Sequence, residues 1–289
     1  PYRQGNDLVY VSADGQSGFT VKDHFSDPNK SIEYFEFERS GYTTQVRNSD
    51  QPIGNSEYDE TLVGTAGNDI LTGATGENIR HDEFYGYTGN DTIDNSAGGK
   101  SWIEGGSGND TIIGGSSVDI IRGGDGEDVI AGGAGNDWIY AGDGDDTVSG
   151  NDGNDMIFAS FGNDFEDGGA GTDTLVVGGF ATQFTDVTFN LETGGSYVTG
   201  QTPNTAKFSN FENFQAGMDF DGNRVGSKWN FTVHGTSENN SIQTSHGDDT
   251  IDGGAGNDFI DSSSGNDTIV GGAGDDFIDG GHGDDTLKS

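Results

Sequence analysis

Residues 123–150 read GGDGEDVIAGGAGNDWIYAGDGDDTVSG. An aspartate closes each glycine-rich run, at Asp128, Asp137 and Asp146, and an apolar residue follows two positions later, at Ile130, Ile139 and Val148. A spacing of nine suits neither the 3.6-residue period of a helix nor the alternation of a long strand. In the frame GGxGxD-x-U-x, position six is aspartate at Asp110, Asp119, Asp128, Asp137, Asp146, Asp155, Asp164 and Asp173. The count resumes at Asn240 and runs through Asp249, Asp258, Asp267, Asp276 and Asp285, and looser copies precede the first array at Asp69, Asp82 and Asp91. Position eight is equally regular: Ile112, Ile121, Ile130, Ile139, Val148, Ile157 and Leu175, then Ile242, Ile251, Ile260, Ile269, Ile278 and Leu287.

Self-similarity at a fixed period signals stacked units. Each x-U-x triplet suits a short strand with one side chain inward and two outward. The glycine-rich hexad suits a turn that needs φ > 0. Turn, strand, turn, strand closes one coil of two repeats, so the sequence predicts an all-β fold, a parallel β-roll in two stacks. Stacking brings the turns of repeats n and n+2 together, with successive aspartates separated by about the ~4.8 Å strand spacing. Two carboxylates at ~5 Å repel by roughly 3 kcal/mol at an effective dielectric of ~20. Calcium, which takes 6–8 oxygens at about 2.3–2.6 Å, can bridge such a pair and use turn carbonyls as well.

The composition leads to the same place. The chain has 289 residues, 29% of them apolar, with 52 glycines and a formal net charge of −38. Chains this acidic and this poor in apolar residues do not bury enough surface to offset chain entropy. Yet 10% of the residues are aromatic, too many for a simple acidic tail. A cation that supplies the missing stabilisation reconciles the two. The absence of cysteine excludes disulfides and thiolate metal sites. No stretch approaches the ~18 apolar residues of a membrane span, and only 12 Lys and Arg residues argue against nucleic-acid binding. Catalytic signatures are lacking: there is no HExxH, no GxSxG, and His24, His81, His234, His246 and His282 are scattered. The expectation is a protein without enzymatic activity.

The nonapeptides resemble the RTX (haemolysin-type calcium-binding) repeat family over residues 55–176 and 235–289. The resemblance implies calcium between turns n and n+2, held by both position-six acids and by backbone carbonyls of the turns. The glycines concerned are Gly106, Gly108, Gly115, Gly124, Gly126, Gly133, Gly135, Gly142, Gly144, Gly153, Gly162, Gly169 and Gly171, then Gly247, Gly254, Gly256, Gly265, Gly272, Gly274, Gly281 and Gly283. Pairing n with n+2 gives two ladders in the first array, Asp110, Asp128, Asp146, Asp164 and Asp119, Asp137, Asp155, Asp173. The second array offers Asp249/Asp267, Asp267/Asp285 and Asp258/Asp276, with Asn240/Asp258 weaker because an amide lacks charge. About nine calcium ions would bring the formal charge from −38 to about −20. The resemblance further implies a larger parent protein that leaves a bacterium through a type I secretion apparatus and folds in extracellular calcium, free or at the cell surface. Rival readings are a calcium-dependent adhesin or polysaccharide-binding module that meets a cell-surface glycan or partner domain, and an accessory domain of a secreted hydrolase or epimerase.

Departures from the period carry their own expectations. Asn78 replaces an aspartate, Ser101 replaces another beside a one-residue insertion, and Ser117 stands at a glycine position. Regular sites are therefore not expected around residues 73–105, and Glu166 at an inward position eight predicts distortion there. The domains read as 1–54, a β-hairpin segment like the region after an RTX block (FTVKDHF at 19–25, SIEYFEFE at 31–38); 55–176, the first roll; 177–234, a β insertion (DVTFNLE at 186–192, AKFSNFENFQ at 206–215); and 235–289, the second roll. Pro1 follows no signal-peptide h-region and Thr286–Ser289 stops within the pattern, so both ends read as cut from a longer chain. Outward positions seven and nine place Ile120, Arg122, Trp138, Tyr140, Met156, Phe158, Thr174 and Val176 on one face. The expectation is that the insertion or the N-terminal hairpins cover this strip; a docking surface for a ligand, glycan or partner domain is the alternative.

Overall fold

A computed structural model describes residues 61–73, 81–178, 187–199, 204–217 and 229–289, together with five N-terminal strands. Those strands, Tyr2–Gln4, Asp7–Val11, Gly18–Val21, Tyr34–Arg39 and Tyr42–Arg47, form one antiparallel sheet in sequence order. The predicted His24 lies outside the described residues, as does Asn78. No helix occurs among the described residues, and none is therefore long and apolar enough to cross a membrane. The chain forms two compact units, Pro1–Gly133 and Ala134–Ser289, so the division falls inside the first nonapeptide array.

In the first unit, parallel strands alternate between two sheets. Thr61–Val63, Asp82–Thr88, Ser101–Ser107 and Ile120–Asp125 stack in one; Ile70–Thr72, Thr92–Asp94, Thr111–Ile113 and Val129–Ala134 stack in the other. The triplets follow the out–in–out pattern that the period demands, and the inward residues Leu62, Leu71, Phe84, Ile93, Ile103, Ile112, Ile121 and Ile130 are at most 2% exposed. Each such side chain contributes roughly 1.5–3 kcal/mol by leaving water. The core is thus one residue wide per strand, which is why 29% apolar composition suffices for it.

The second unit repeats the arrangement with Ile139, Val148, Ile157, Leu175, Ile242, Ile251, Ile260 and Ile269 inward, all at most 1% exposed. Strands from the region between the two arrays join these same sheets in register. Thr174 pairs with Asn213 and Leu175 with Phe214, Phe214 then pairs with Ile242, and Val187–Asn190 pairs with Phe231–His234, which leads on to Thr250–Asp252. Among the described strands of this region only Gly195–Thr199 runs antiparallel, paired with Asn204–Ser209. Phenylalanines replace isoleucines here: Phe189, Phe208, Phe214 and Phe231 are at most 3% exposed, with Phe189 and Phe214 rings 4.7 Å apart. Bulkier rings fill coils whose turns no longer follow the nonapeptide.

One expectation needs correction. Glu166 is 1% exposed and points inward, yet Phe165–Ala170 keeps unbroken register with Thr147–Asp152 and Asn204–Ser209. Backbone pairing tolerates the side chain, so no distortion of the strand follows. The outward strip is also less open than the alternation implies. Phe158 and Val176 are buried, and Trp138 and Tyr140 are half-buried. Among the described residues the exposed Phe and Tyr rings lie elsewhere, at Tyr87, Phe161 and Phe165 and in the stacked pair Phe259 and Phe277, whose centroids are 5.1 Å apart.

Candidate metal centres

Many inner turn positions among the described residues carry the same backbone-to-carboxylate bond, although the N–H of Asp82 donates instead to the Lys100 carbonyl at 3.1 Å. The N–H of a position-six residue donates to Oδ1 of the acid one coil later. In the first unit this joins Asp69 to Asp91, Asp91 to Asp110 and Asp110 to Asp128, each at 2.8 Å. In the second it joins Asp137 to Asp155 and Asp155 to Asp173 at 2.8 Å, and Asp146 to Asp164 at 3.0 Å. Farther along it joins Asp249 to Asp267 and Asp267 to Asp285, and Asn240 to Asp258 and Asp258 to Asp276. The irregular turn at residues 95–101 falls on the opposite side of the coil. The side bearing Asp69, Asp91 and Asp110 therefore keeps its ladder through the region where regular sites were not expected.

A second ladder runs one residue outward, in the opposite direction. The position-five N–H of the later coil donates back to the position-five side chain of the earlier one. Glu127 N–H bonds Asn109 Oδ1 at 3.1 Å, Asn154 bonds Asn136, Asn163 bonds Asp145, Asn266 bonds Asp248 and Asp284 bonds Asn266. Adjacent residues thus clamp consecutive coils reciprocally. Sequence reading missed this row because Asn and Asp in a glycine-rich turn already have a local reason to be there.

With Oδ1 engaged, the second oxygen decides the chemistry. Asp91, Asp110, Asp155, Asp173 and Asp258 are at most 2% exposed, and the Oδ2 atom of each is buried without a hydrogen-bond partner. A buried carboxylate oxygen left this way is costly unless a cation meets it. The same oxygens face carbonyls. A methyl group built on Gly105 would lie 2.5 Å from Asp110 Oδ2 and 2.6 Å from the Gly123 carbonyl oxygen, and one on Gly253 would meet Asp258 Oδ2 and the Gly271 carbonyl oxygen. The first turn position, which the sequence reading did not single out, therefore lines a cradle that any Cβ would fill. Positions two and four, which it did, hold φ values of 126° at Gly124 and 133° at Gly126, and the Gly106 and Gly108 carbonyls press against them.

Among the described residues no three His, Cys, Asp or Glu side chains converge on one point. Acids come in consecutive pairs, so a bound ion must take its remaining ligands from backbone. Hard oxygen donors in excess, two carboxylates and several carbonyls, suit calcium rather than a soft or imidazole-preferring metal. When bound, the ion supplies charge neutralisation between coils; the chain's own residues supply the paired Oδ2 atoms and the glycine carbonyls.

Electrostatics agree. Burial pushes Asp110 up to about 6 from 3.8, with the Asp91 N–H opposing and the Asp91 charge adding. Burial likewise raises Asp164 to about 6, and Asp128, Asp173 and Asp249 to about 7. The exposed rim differs: Asp145 is lowered, because the Asn163 N–H and side chain donate to it and little desolvation opposes them.

A family model for the RTX calcium-binding nonapeptide repeat (4 copies) matches residues 55–79, 80–99, 97–130, 122–157, 131–166, 149–181, 232–260 and 261–288. The chain belongs to the RTX calcium-binding nonapeptide repeat family. No curated protein matched it. Some RTX positions here are chemically silent. At Asp119, Oδ1 accepts from the N–H and hydroxyl of Ser101, at 2.6 and 2.7 Å, while Oδ2 accepts from Gly115 N–H at 2.6 Å. Asn240 is similarly occupied: its Oδ1 accepts from Thr236 N–H and its Nδ2 donates to Glu212 O, each at 2.6 Å. Both rungs are held by protein hydrogen bonds, and at Asn240 an amide stands where the RTX pattern has charge.

Proposed function

We propose that this RTX chain is a calcium-responsive folding module of a secreted bacterial protein, with no catalytic step of its own. The buried, unpartnered Oδ2 atoms stacked in pairs carry the reading. A coil stack with these oxygens charged and no cation is destabilised at every rung, so compaction follows the calcium level of the compartment. Inside a cell, where free calcium is scarce, such a chain stays extended and fits passage through a type I secretion channel. Outside, calcium at ~10⁻⁴–10⁻³ M, the range of extracellular modules, organises it.

Far-ultraviolet circular dichroism of the 289-residue chain tests this: a mostly disordered spectrum in chelator should give way cooperatively to β-signal as calcium is added. A chain fully folded in chelator overturns it. The adhesin reading draws less support, because Phe158 and Val176 are buried and Trp138 and Tyr140 half-buried, which leaves little of that strip for a glycan.

A further inference from the structure

Beyond the last nonapeptide of the first array, the ladder Asp137, Asp155, Asp173 does not stop. The N–H of Asp173 donates at 2.8 Å to Glu212 Oε2, the same bond that joins Asp155 to Asp173. Register explains the change of residue. Asp167 pairs with Ser209 and Thr174 with Asn213, so the six-residue turn 168–173 is stacked on a turn of only three residues, 210–212. The shorter turn ends on Glu212, whose N–H also donates to the Asp173 carbonyl at 3.2 Å, so a glutamate takes the place that an aspartate holds in the repeats. The cradle is retained as well. Asn210 occupies the first turn position with φ 57°, and its carbonyl oxygen faces Gly168 together with Asp173 Oδ2, as the Gly168 carbonyl and Asp155 Oδ2 face Gly150. Asp173 is 1% exposed and its Oδ2 has no hydrogen-bond partner.

We infer that Glu212 completes a divalent-cation site with Asp173 and the Asn210 carbonyl, at a turn that lies outside the matched repeats. The site rests on the calcium reading above and extends it to a non-repeat ligand. It closes the ladder: the next residue in line, Asn240, is neutral and spends its amide on Glu212 O and Thr236. Calcium therefore ties the array to the segment that follows it.

Native mass spectrometry of the full chain at fixed free calcium counts the ions. Glu212→Gln keeps an acceptor for the Asp173 N–H but loses the charge, and should bind one calcium fewer than wild type with an unchanged circular dichroism spectrum in calcium. Asp173→Asn, which serves the gaps on both sides, should lose two. Equal counts for wild type and Glu212→Gln overturn the site while leaving the folding module intact. Should Glu212→Gln fail to fold, the Asp173→Asn count decides: two ions lost supports the site, one overturns it. Wild type that binds no calcium overturns the folding module itself.

Discussion

At Asp110 a single carboxylate does two things: one oxygen fixes the neighbouring coil through Asp91 N–H, and the other waits buried for a cation. Asparagine at this position keeps the first role and removes the second. Asp110→Asn should weaken calcium binding several-fold while stabilising the calcium-free coil stack at pH 7, because burial raises the carboxyl to about 6 and an amide brings no charge to be desolvated there. Calcium titration and chelator-state unfolding of the variant measure the two effects separately. The rim acid behaves differently. Asp145 is exposed and accepts from Asn163, so Asp145→Ala should cost only about 0.5–1.5 kcal/mol and leave the calcium midpoint nearly unchanged. Protonation gives a third residue-scale test. Folded-state pKa values near 6 to 7 exceed the unfolded value of 3.8, so the calcium-free fold binds the extra protons. Its stability from these groups is present below about pH 4 and is lost as pH rises through 6 and 7. Chelated protein should show more β-signal at pH 4.5 than at pH 7.5, and calcium added to that protonated calcium-free fold near pH 4.5 should release protons that a weakly buffered titration detects.

For a single turn, the decisive space is the one in front of the first glycine. Gly105 has no left-handed φ, so Gly105→Ala asks only for room, and the room is the cradle between Asp110 Oδ2 and Gly123 O. The variant should raise the calcium midpoint at least tenfold without the backbone strain expected of Gly126→Ala, where φ is 133°. Turn and strand were legible in the sequence to different depths. The aspartate ladder and the inward isoleucines repeat one physical requirement every nine residues, and repetition makes a requirement visible. The cradle carbonyls of Gly105 and Gly123 were not visible, because backbone orientation leaves no mark on residue type when every neighbour is glycine. Glu212 was hidden for the opposite reason: a three-residue deletion moved it out of phase and the acid changed with it. In the sequence Glu212 reads only as part of the aromatic-rich run AKFSNFENFQ at 206–215.

On the scale of the whole chain, a formal charge of −38 and a core one side chain thick leave stability in the hands of the bound ions. Any ligand that binds only the folded state raises its stability by RT ln(1 + [L]/Kd) per site. Many sites acting together should make the melting temperature climb steeply with the logarithm of calcium concentration, and chelator added above the apo midpoint should unfold the protein. Differential scanning calorimetry across a calcium series checks both.

Near-identical coils pose a hazard of their own. A chain whose turns all look alike can zip up shifted by one coil, with each acid meeting a wrong but chemically equivalent mate, much as a misaligned zipper closes tooth by tooth. The turns at 95–101 and 210–212 guard against that mistake, since the first is one residue longer and the second three residues shorter than the six-residue turn each is stacked on. Irregularity in this polymer works as a phase marker: the two odd turns tell otherwise interchangeable repeats which neighbour is theirs.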